Sequence, residues 1–348
     1  MRVHSALIAP CLVAALATCT VARDESSHAD EPGEVVQELG DELWIVFQDK
    51  QHAHWFGSNG QGVYRVEGGR IVRYTTKDGL CNDSIRQIEE DDAGNLYFAT
   101  SGGISKFDRR RFTTLVPIEG SEWKLEPGDL WFKGSQDDNG PYRYDGKSLY
   151  RLEFPKSELE DGYRAEFPAV PYSPYGIYTV VRESRGAVWF GTACFGACRY
   201  DGKSFTWVSE PELTELDDGP SLGVRGIVED KEGKIWLSHT EHRYAVDSTT
   251  IPYRKEEGIV GPGAPGEADD SYFVSGVRDR QGVLWLATYG AGVWRYDGER
   301  VTRYPVQDGG RTALLFSIHE DHQGVLWLGS TQSGAYRFDG ETFARFRP

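Results

Sequence analysis

Short apolar strands alternate with polar turns along most of the chain, and one phrase recurs seven times. In each copy an acidic residue begins a tight turn, and an apolar strand with a central aromatic residue follows; residues 279–288 are the clearest copy. Further short strands complete each copy, and four copies contain the Asp-Gly dipeptide that favours two-residue hairpin turns. The copies are centred on Trp55, Tyr97, Trp131, Trp189, Trp236, Trp285 and Trp327.

The central strand of each copy is apolar on both faces, as residues 188–192 and 325–329 show. A sheet with one solvated face would alternate apolar and polar positions, so neighbouring sheets are expected to cover both faces. Turns within a copy are tight, whereas the link to the next copy is long enough to cross a four-stranded sheet. We therefore predict an all-β fold, a seven-bladed β-propeller of four-stranded antiparallel blades, as one domain over residues 41–348.

Two copies depart from the pattern, and the sequence does not settle how the first and last blades join. The third copy is degenerate, because only Pro127, Gly128 and Asp129 precede its apolar strand. In the first copy His52 stands where the other turns carry glycine. Residues 35–39 are a candidate outer strand that would staple the ring, and the sequence does not decide between this and closure by packing alone.

The acidic residue of each turn suits a structural role. Its carboxylate can accept hydrogen bonds from backbone N–H groups two residues further on, and the glycine supplies a positive φ. A calcium site would need several oxygen ligands that converge in one loop, whereas each turn carries one carboxylate. We therefore interpret the repeated acid as a turn residue rather than a metal ligand.

The first 22 residues are predicted to be a signal peptide, because a basic start precedes an apolar run that is too short to span a bilayer. Two forms of processing remain open. Residues 20–22 form a small-residue cleavage site, which would release a soluble secreted chain. Alternatively, residues 16–19 resemble a lipobox with Cys19 as the lipidated residue, and the polar residues 23–40 would then be a tether. We favour the lipoprotein, in the periplasm or on the cell surface.

Export also determines how the remaining cysteines are interpreted, since an oxidising compartment permits disulfides. Cys194 and Cys198 flank a predicted hairpin turn, and residues that face each other across such a turn lie within bridging range. We predict a disulfide between them and leave Cys81 unpaired. Two buried reduced thiols are the alternative, whereas zinc is disfavoured because no second pair of thiols is nearby.

The charge of the chain limits its partners. The net charge is −16 with no basic stripe, so a nucleic acid partner is not expected. The acidic surface is interpreted as an ordinary solvated one. A membrane is expected to matter only through a lipid anchor.

The repeated pattern, acid-x-x-Gly-x-Leu-Trp followed by Gly-Val-Tyr-Arg-Tyr-Asp-Gly, resembles the two-component regulator propeller repeat. This resemblance covers residues 41–348. It implies a seven-bladed propeller of the kind found in periplasmic sensor regions of hybrid kinases and in stand-alone exported proteins. It does not imply a ligand, and no kinase or DNA-binding segment is recognised after the last repeat, so we do not expect the chain to signal by itself.

Binding residues are predicted where the long inter-blade links meet the central channel, because loops on one face of a rigid scaffold usually carry the site. Arg86 and Arg225 both lie five residues before the acid of their turns, and Tyr178 has the same position in its copy. These arginines suit a carboxylate or a sugar acid. Structural ion pairs with Asp83 or Asp270 are the alternative. The link before the fourth blade adds the ligand-binding candidates Tyr172 and Tyr175.

We predict a non-catalytic binding or interaction protein with no cofactor and no metal, whose partner is a protein, a small molecule or a carbohydrate. His52 and His322 lie in neighbouring blades and are expected to approach one another, yet spacing supplies no carboxylate to complete a metal site. The alternative is a lyase or hydrolase, because the repeats also resemble those of streptogramin lyases, whose His and metal act from one face. No histidine here matches that pattern residue by residue.

Overall fold

The computed structural model describes residues 32–120, 122–135, 137–216, 219–220, 223–238, 242–247, 253–258 and 272–348. The predicted signal peptide, Cys19 and Asp270 lie outside these residues, as does most of the acidic link before the sixth blade. Within the described ranges, no helix is long and apolar enough to cross a membrane.

Seven blades follow one another in the described chain, and their topology confirms the predicted propeller. The first strands of adjacent blades contact one another and surround the centre, so we call the first strand of a blade its inner strand. The strands of blade 1 are Leu43–Gln48, His54–Ser58, Val63–Glu67 and Arg70–Tyr74, with Glu34–Val36 added outside as a fifth. After the 3₁₀ turn Thr76–Asp78, the strands of blade 2 are Ile85–Glu90, Leu96–Thr100, Gly103–Phe107 and Phe112–Leu115.

The later blades have the same order, and the long links between them add short elements. A helix at Glu160–Glu166 precedes blade 4, with strands Ile177–Arg182, Val188–Thr192, Ala197–Tyr200 and Phe205–Val208. A helix at Pro211–Thr214 and a hairpin of Glu215–Leu216 with Gly219–Pro220 precede blade 5, with strands Ile227–Glu229, Ile235–Leu237, His242–Ala245 and Arg254–Glu257. Blade 6 has strands Phe273–Arg278, Leu284–Thr288, Val293–Tyr296 and Val301–Tyr304. The hairpin Gln307–Asp308 with Arg311–Thr312 leads to blade 7, with strands Leu315–Glu320, Leu326–Ser330, Ala335–Phe338 and Phe343–Arg345.

Within the described ranges blade 3 has no inner strand, in agreement with its degenerate sequence. Its antiparallel strands are Leu130–Phe132, Tyr142–Tyr144 and Leu149–Arg151, and Pro117–Glu119 joins the last of these in parallel on the outside. The strand Leu130–Phe132 is therefore the innermost strand of this blade. The side-chain amide of Gln87 substitutes for part of the missing strand: it donates to the carbonyl of Trp131 at 2.9 Å and accepts from the N–H of Lys133 at 3.0 Å.

A carboxylate clamp recurs in the six other blades. The acid that begins the turn accepts a hydrogen bond, at 2.7–2.9 Å, from the aromatic residue six positions later. In five of the six the acid also accepts from the backbone N–H four residues on, and its own N–H donates to that residue's carbonyl. The pairs are Asp49–Trp55, Asp91–Tyr97, Glu183–Trp189, Asp230–Trp236, Asp279–Trp285 and Asp321–Trp327.

The clamped acids are structural, as the sequence predicts. In blade 4 both oxygens of Glu183 accept from Arg199, and both side chains are buried. Burial alone would raise the pKa of Glu183, but the hydrogen bonds from Arg199 and Trp189 outweigh it and hold the pKa below its usual value. In blade 1 the residue that replaces glycine, His52, has a φ of 69°, so the turn geometry is retained at the cost of left-handed backbone in a non-glycine residue.

Blades 1 and 7 close the ring by hydrogen bonds and packing. The backbone N–H of Gln48 donates to His319 Nε2 at 3.1 Å, and the N–H of His322 donates to Gln48 Oε1 at 2.7 Å. One residue pair, Leu43 with Ser330, also joins the two sheets. The strand at Glu34–Val36 pairs within blade 1, so it extends that blade rather than adding a strand to blade 7.

We predict that Glu183→Gln lowers the free energy of unfolding by about 3 kcal/mol, because it leaves the buried Arg199 without its anion. Asp339→Asn, in an exposed hairpin turn, is the matched acid-to-amide control and should cost far less. Urea unfolding at neutral pH measures both. Equal losses in the two variants would contradict a stabilising role for the clamp.

The seam between blades 1 and 7 predicts a pH dependence of stability. His319 Nε2 accepts a backbone hydrogen bond, which requires the neutral imidazole, and burial lowers its pKa to about 4. Burial also lowers the pKa of His54, in the same seam. The stability that neutral His319 contributes is therefore complete above the unfolded pKa of about 6.5 and is lost as the pH falls towards about 4.

We expect this loss to be on the order of 1–3 kcal/mol across that pH window. His319→Gln keeps an acceptor at the seam without a titrating imidazole, so its unfolding free energy should fall less over the same window. The clamped acids Asp49 and Asp321, with their lowered pKa values, lose their contribution only below about pH 4. An unchanged pH dependence in His319→Gln would contradict this assignment.

Candidate functional site

The position five residues before the turn acid lies at or just before the start of the inner strand, and in five blades this position lines one cavity at the channel. A cavity of about 420 Å³ lies there. Four of the predicted residues line it together: Arg86, Tyr172, Tyr178 and Arg225. The cavity is also lined by Trp44, Lys133 and Phe316.

Arg86 is held by a planar stack and an amide. Its guanidinium lies 4.7 Å from the ring centroid of Trp44, and Trp44 stacks on Phe316 with centroids 4.4 Å apart. Nη1 donates to Asn59 Oδ1 at 3.1 Å. Burial lowers the pKa of Arg86, as expected for a cation removed from water.

The ion pairs considered for Arg86 are not found among the described residues. The carboxylate of Asp83 instead accepts from the backbone N–H of Thr76 at 2.7 Å. Asp270 lies outside the described part of the chain. Arg86 is therefore fixed by aromatic and amide contacts, which leave most of its N–H donors for a ligand.

Arg225 and Tyr178 form a second cation–aromatic pair in the cavity. The guanidinium lies 4.4 Å from the centroid of Tyr178, and the backbone N–H of Arg225 donates to Ser238 Oγ at 2.7 Å. Tyr172 is partly buried close by, and burial raises the pKa of its hydroxyl group. It therefore remains a neutral hydroxyl at physiological pH.

Tyr175 does not line the cavity. Its buried hydroxyl donates to Glu160 Oε2 and accepts from the N–H of Ser157, both at 2.7 Å. The side chain thus fixes the link between blades 3 and 4, which carries Tyr172. Its contribution to the cavity is to position that link.

The sequence analysis did not single out three of the large side chains that line the cavity. Trp44 and Phe316 obey the same five-before-the-acid rule that selected Arg86, so the signal for them was present. Lys133 lies outside the repeat pattern. It lines the cavity at the place where no inner strand of blade 3 is described. The degenerate third copy was the signal for it.

Lys133 is a cation of the cavity whose pKa is strongly lowered. Burial, together with the positive charge of Arg86, lowers its pKa to about 8, and the charge of Glu89 opposes that shift only in part. No described residue accepts a hydrogen bond from its ammonium or forms an ion pair with it. No acidic side chain is found among the described residues that line the cavity, although the whole chain carries a net charge of −16.

The predicted disulfide between Cys194 and Cys198 is wrong, because both thiols are free and buried. The reason is register: Cys198 pairs with Phe190 across the hairpin, so Cys194 lies in the turn rather than opposite it. Cys194 Sγ donates to Tyr163 OH at 3.1 Å. Burial raises the pKa of both thiols, and Cys81 is free as well.

The expected approach of His52 and His322 is confirmed, with their Nδ1 atoms 3.2 Å apart. The pair lies at the seam between blades 1 and 7, away from the cavity residues. In the described ranges, no group of three or more His, Cys, Asp or Glu side chains is arranged to hold a metal ion.

Comparison with solved structures places the chain among β-propellers. It resembles the extracellular domain of the one component system BT4673 from B. thetaiotaomicron, at 19% identity and a TM-score of 0.59, over 90% of this chain and 40% of that one. It also resembles virginiamycin B lyase from Staphylococcus aureus, at 14% identity and a TM-score of 0.61, over 87% of this chain and 99% of that one.

A third similar structure is PorZ, a surface component of the type-IX secretion system of Porphyromonas gingivalis, at 14% identity and a TM-score of 0.58, over 90% of this chain and 48% of that one. These likenesses show the fold, and the chain spans about 40% of the length of the BT4673 domain. They are consistent with the resemblance to the two-component regulator propeller repeat. No protein-family model matches the chain, and no curated protein is similar to it.

Proposed function

We propose that the chain is an exported, non-catalytic binding propeller that holds an acidic small molecule or sugar acid at the mouth of its channel. The observation that carries this proposal is the convergence of Arg86, Arg225 and Lys133 on one aromatic cavity in an acidic protein. Export is supported by the apolar leader and by the fold shared with extracellular domains.

The geometry suits a planar anion. The guanidinium of Arg86 offers paired N–H donors, which match a carboxylate bidentately. Trp44, Phe316 and Tyr178 provide flat apolar surface for the face of a sugar or aromatic ring. A cavity of about 420 Å³ lies within the usual range for small-molecule sites.

No acidic side chain is found among the described residues that line the cavity, so an anionic ligand would meet no like charge from them. Burial is the main cause of the lowered pKa of Lys133, and repulsion by the positive charge of Arg86 adds to it. An anionic ligand relieves this repulsion. We therefore expect a strong preference for acids over neutral analogues of the same shape.

We predict that glucuronic acid binds and that glucose, which lacks the carboxylate, does not bind detectably under the same conditions. Calorimetric titration measures both. Arg86→Gln should weaken glucuronate binding by about tenfold or more, because it removes a charge-assisted bidentate contact. Arg300→Gln, on an exposed hairpin, is the matched control and should leave the affinity unchanged.

Equal binding of the two sugars, or equal effects of the two arginine variants, would overturn the proposed acid site. Conversion of the sugar during the titration would favour the alternative, a lyase-type enzyme. Higher salt should weaken the glucuronate complex, since the contact is between charges that are only partly buried.

A further inference from the structure

We infer that Lys133 captures carbonyl groups: its amine condenses with an aldehyde or ketone of a carboxylic acid whose carboxylate lies against Arg86. This inference rests on the proposed acid site and adds a covalent step to it. The ligand class is an acid that carries a free carbonyl, such as a 2-oxo acid or an open-chain uronic acid.

The backbone places the two cations together. Gln87 follows Arg86 on the inner strand of blade 2, and its side-chain oxygen accepts from the N–H of Lys133 at 3.0 Å. This bond ties the end of the strand Leu130–Phe132 beside the inner strand of blade 2. Arg86 and Lys133 therefore line the same cavity from adjacent blades.

The amine is available for reaction. Lys133 is partly buried, and no described residue accepts a hydrogen bond from its ammonium. A lysine that is desolvated or close to another cation is the usual source of a nucleophilic amine at physiological pH. The pKa of about 8 agrees with this geometry, because about a tenth of the amine is neutral at pH 7, far more than for an ordinary lysine.

The position of Lys133 argues against a purely electrostatic role for its amine. A lysine that only provided charge for a ligand would be expected on the solvated rim with a high pKa, as a flexible point charge. Lys133 instead lies where the absent inner strand of blade 3 opens the channel wall. Burial and the charge of Arg86 favour the neutral amine there, and the neutral amine is the nucleophilic form.

The step balances without a further reactant. The ammonium of Lys133 first gives one proton to solvent. The neutral nitrogen attacks the carbonyl carbon, a C–N bond forms, and the carbonyl oxygen leaves as water with the two remaining amine protons. The product is a C=N bond to the lysine, and water reverses the step.

Pyruvate with cyanoborohydride is the test, since the reducing agent traps the imine as a stable secondary amine that intact mass and peptide mapping locate. We expect the first adduct at Lys133, formed about tenfold faster than at the exposed Lys147 because the lower pKa leaves more free amine. Labelling should rise with pH around a midpoint of about 8.

Variants separate the roles of the two cations. Lys133→Arg and Lys133→Met should abolish the adduct, and Lys147→Arg is the matched control. Arg86→Gln should lower the ratio of labelling by pyruvate to labelling by acetone, which has no carboxylate. Circular dichroism and thermal unfolding establish that each variant is folded.

Labelling that spreads over exposed lysines, or that persists in both Lys133 variants, would overturn the inference. Retained glucuronate binding without any trapped adduct would overturn the covalent step and leave the proposed function intact. Loss of both would overturn the acid site itself.

Discussion

The hydrogen bond from a buried indole to the acid that begins its turn is the interaction on which the rest of the structure depends. It ties the turn to the second strand and satisfies a polar N–H that would otherwise be buried without a partner. It also orients the indole towards the next blade: Trp55 packs against Phe98 and Phe107 of blade 2, and Trp285 packs against Phe338 of blade 7. This hydrogen bond therefore orders the turn within its own blade and also positions the indole against the next blade.

Because the clamp lies in the turns and second strands, the first residues of the inner strands are free to vary. Those positions carry Trp44, Arg86, Tyr178, Arg225 and Phe316, which form the cavity. Blade 3 is the exception that completes it. Its acid, Asp129, pairs with Arg143 rather than with Trp131, its inner strand is absent, and Lys133 occupies the opening.

The repeat predicted the blades because period and turn chemistry recur in every copy, and the same register predicted that Arg86, Tyr178 and Arg225 would meet. Predictions from the repeat failed where the local structure departs from the repeated pattern. Cys194 lies in the middle of the turn, where it has no cross-strand partner, and the hydroxyl of Tyr175 forms its hydrogen bonds within its own link. Lys133 could not be placed from sequence, since the missing strand, rather than a motif, brings it to the channel.

Hydrogen exchange of the indole N–H groups, followed by NMR, tests the clamp most directly. We predict that the indole protons of the five clamped tryptophans exchange together and only on global unfolding. The partly exposed Trp207 should exchange long before them. The clamped residues are Trp55, Trp189, Trp236, Trp285 and Trp327. Exchange of these five protons as fast as that of Trp207 would contradict the account.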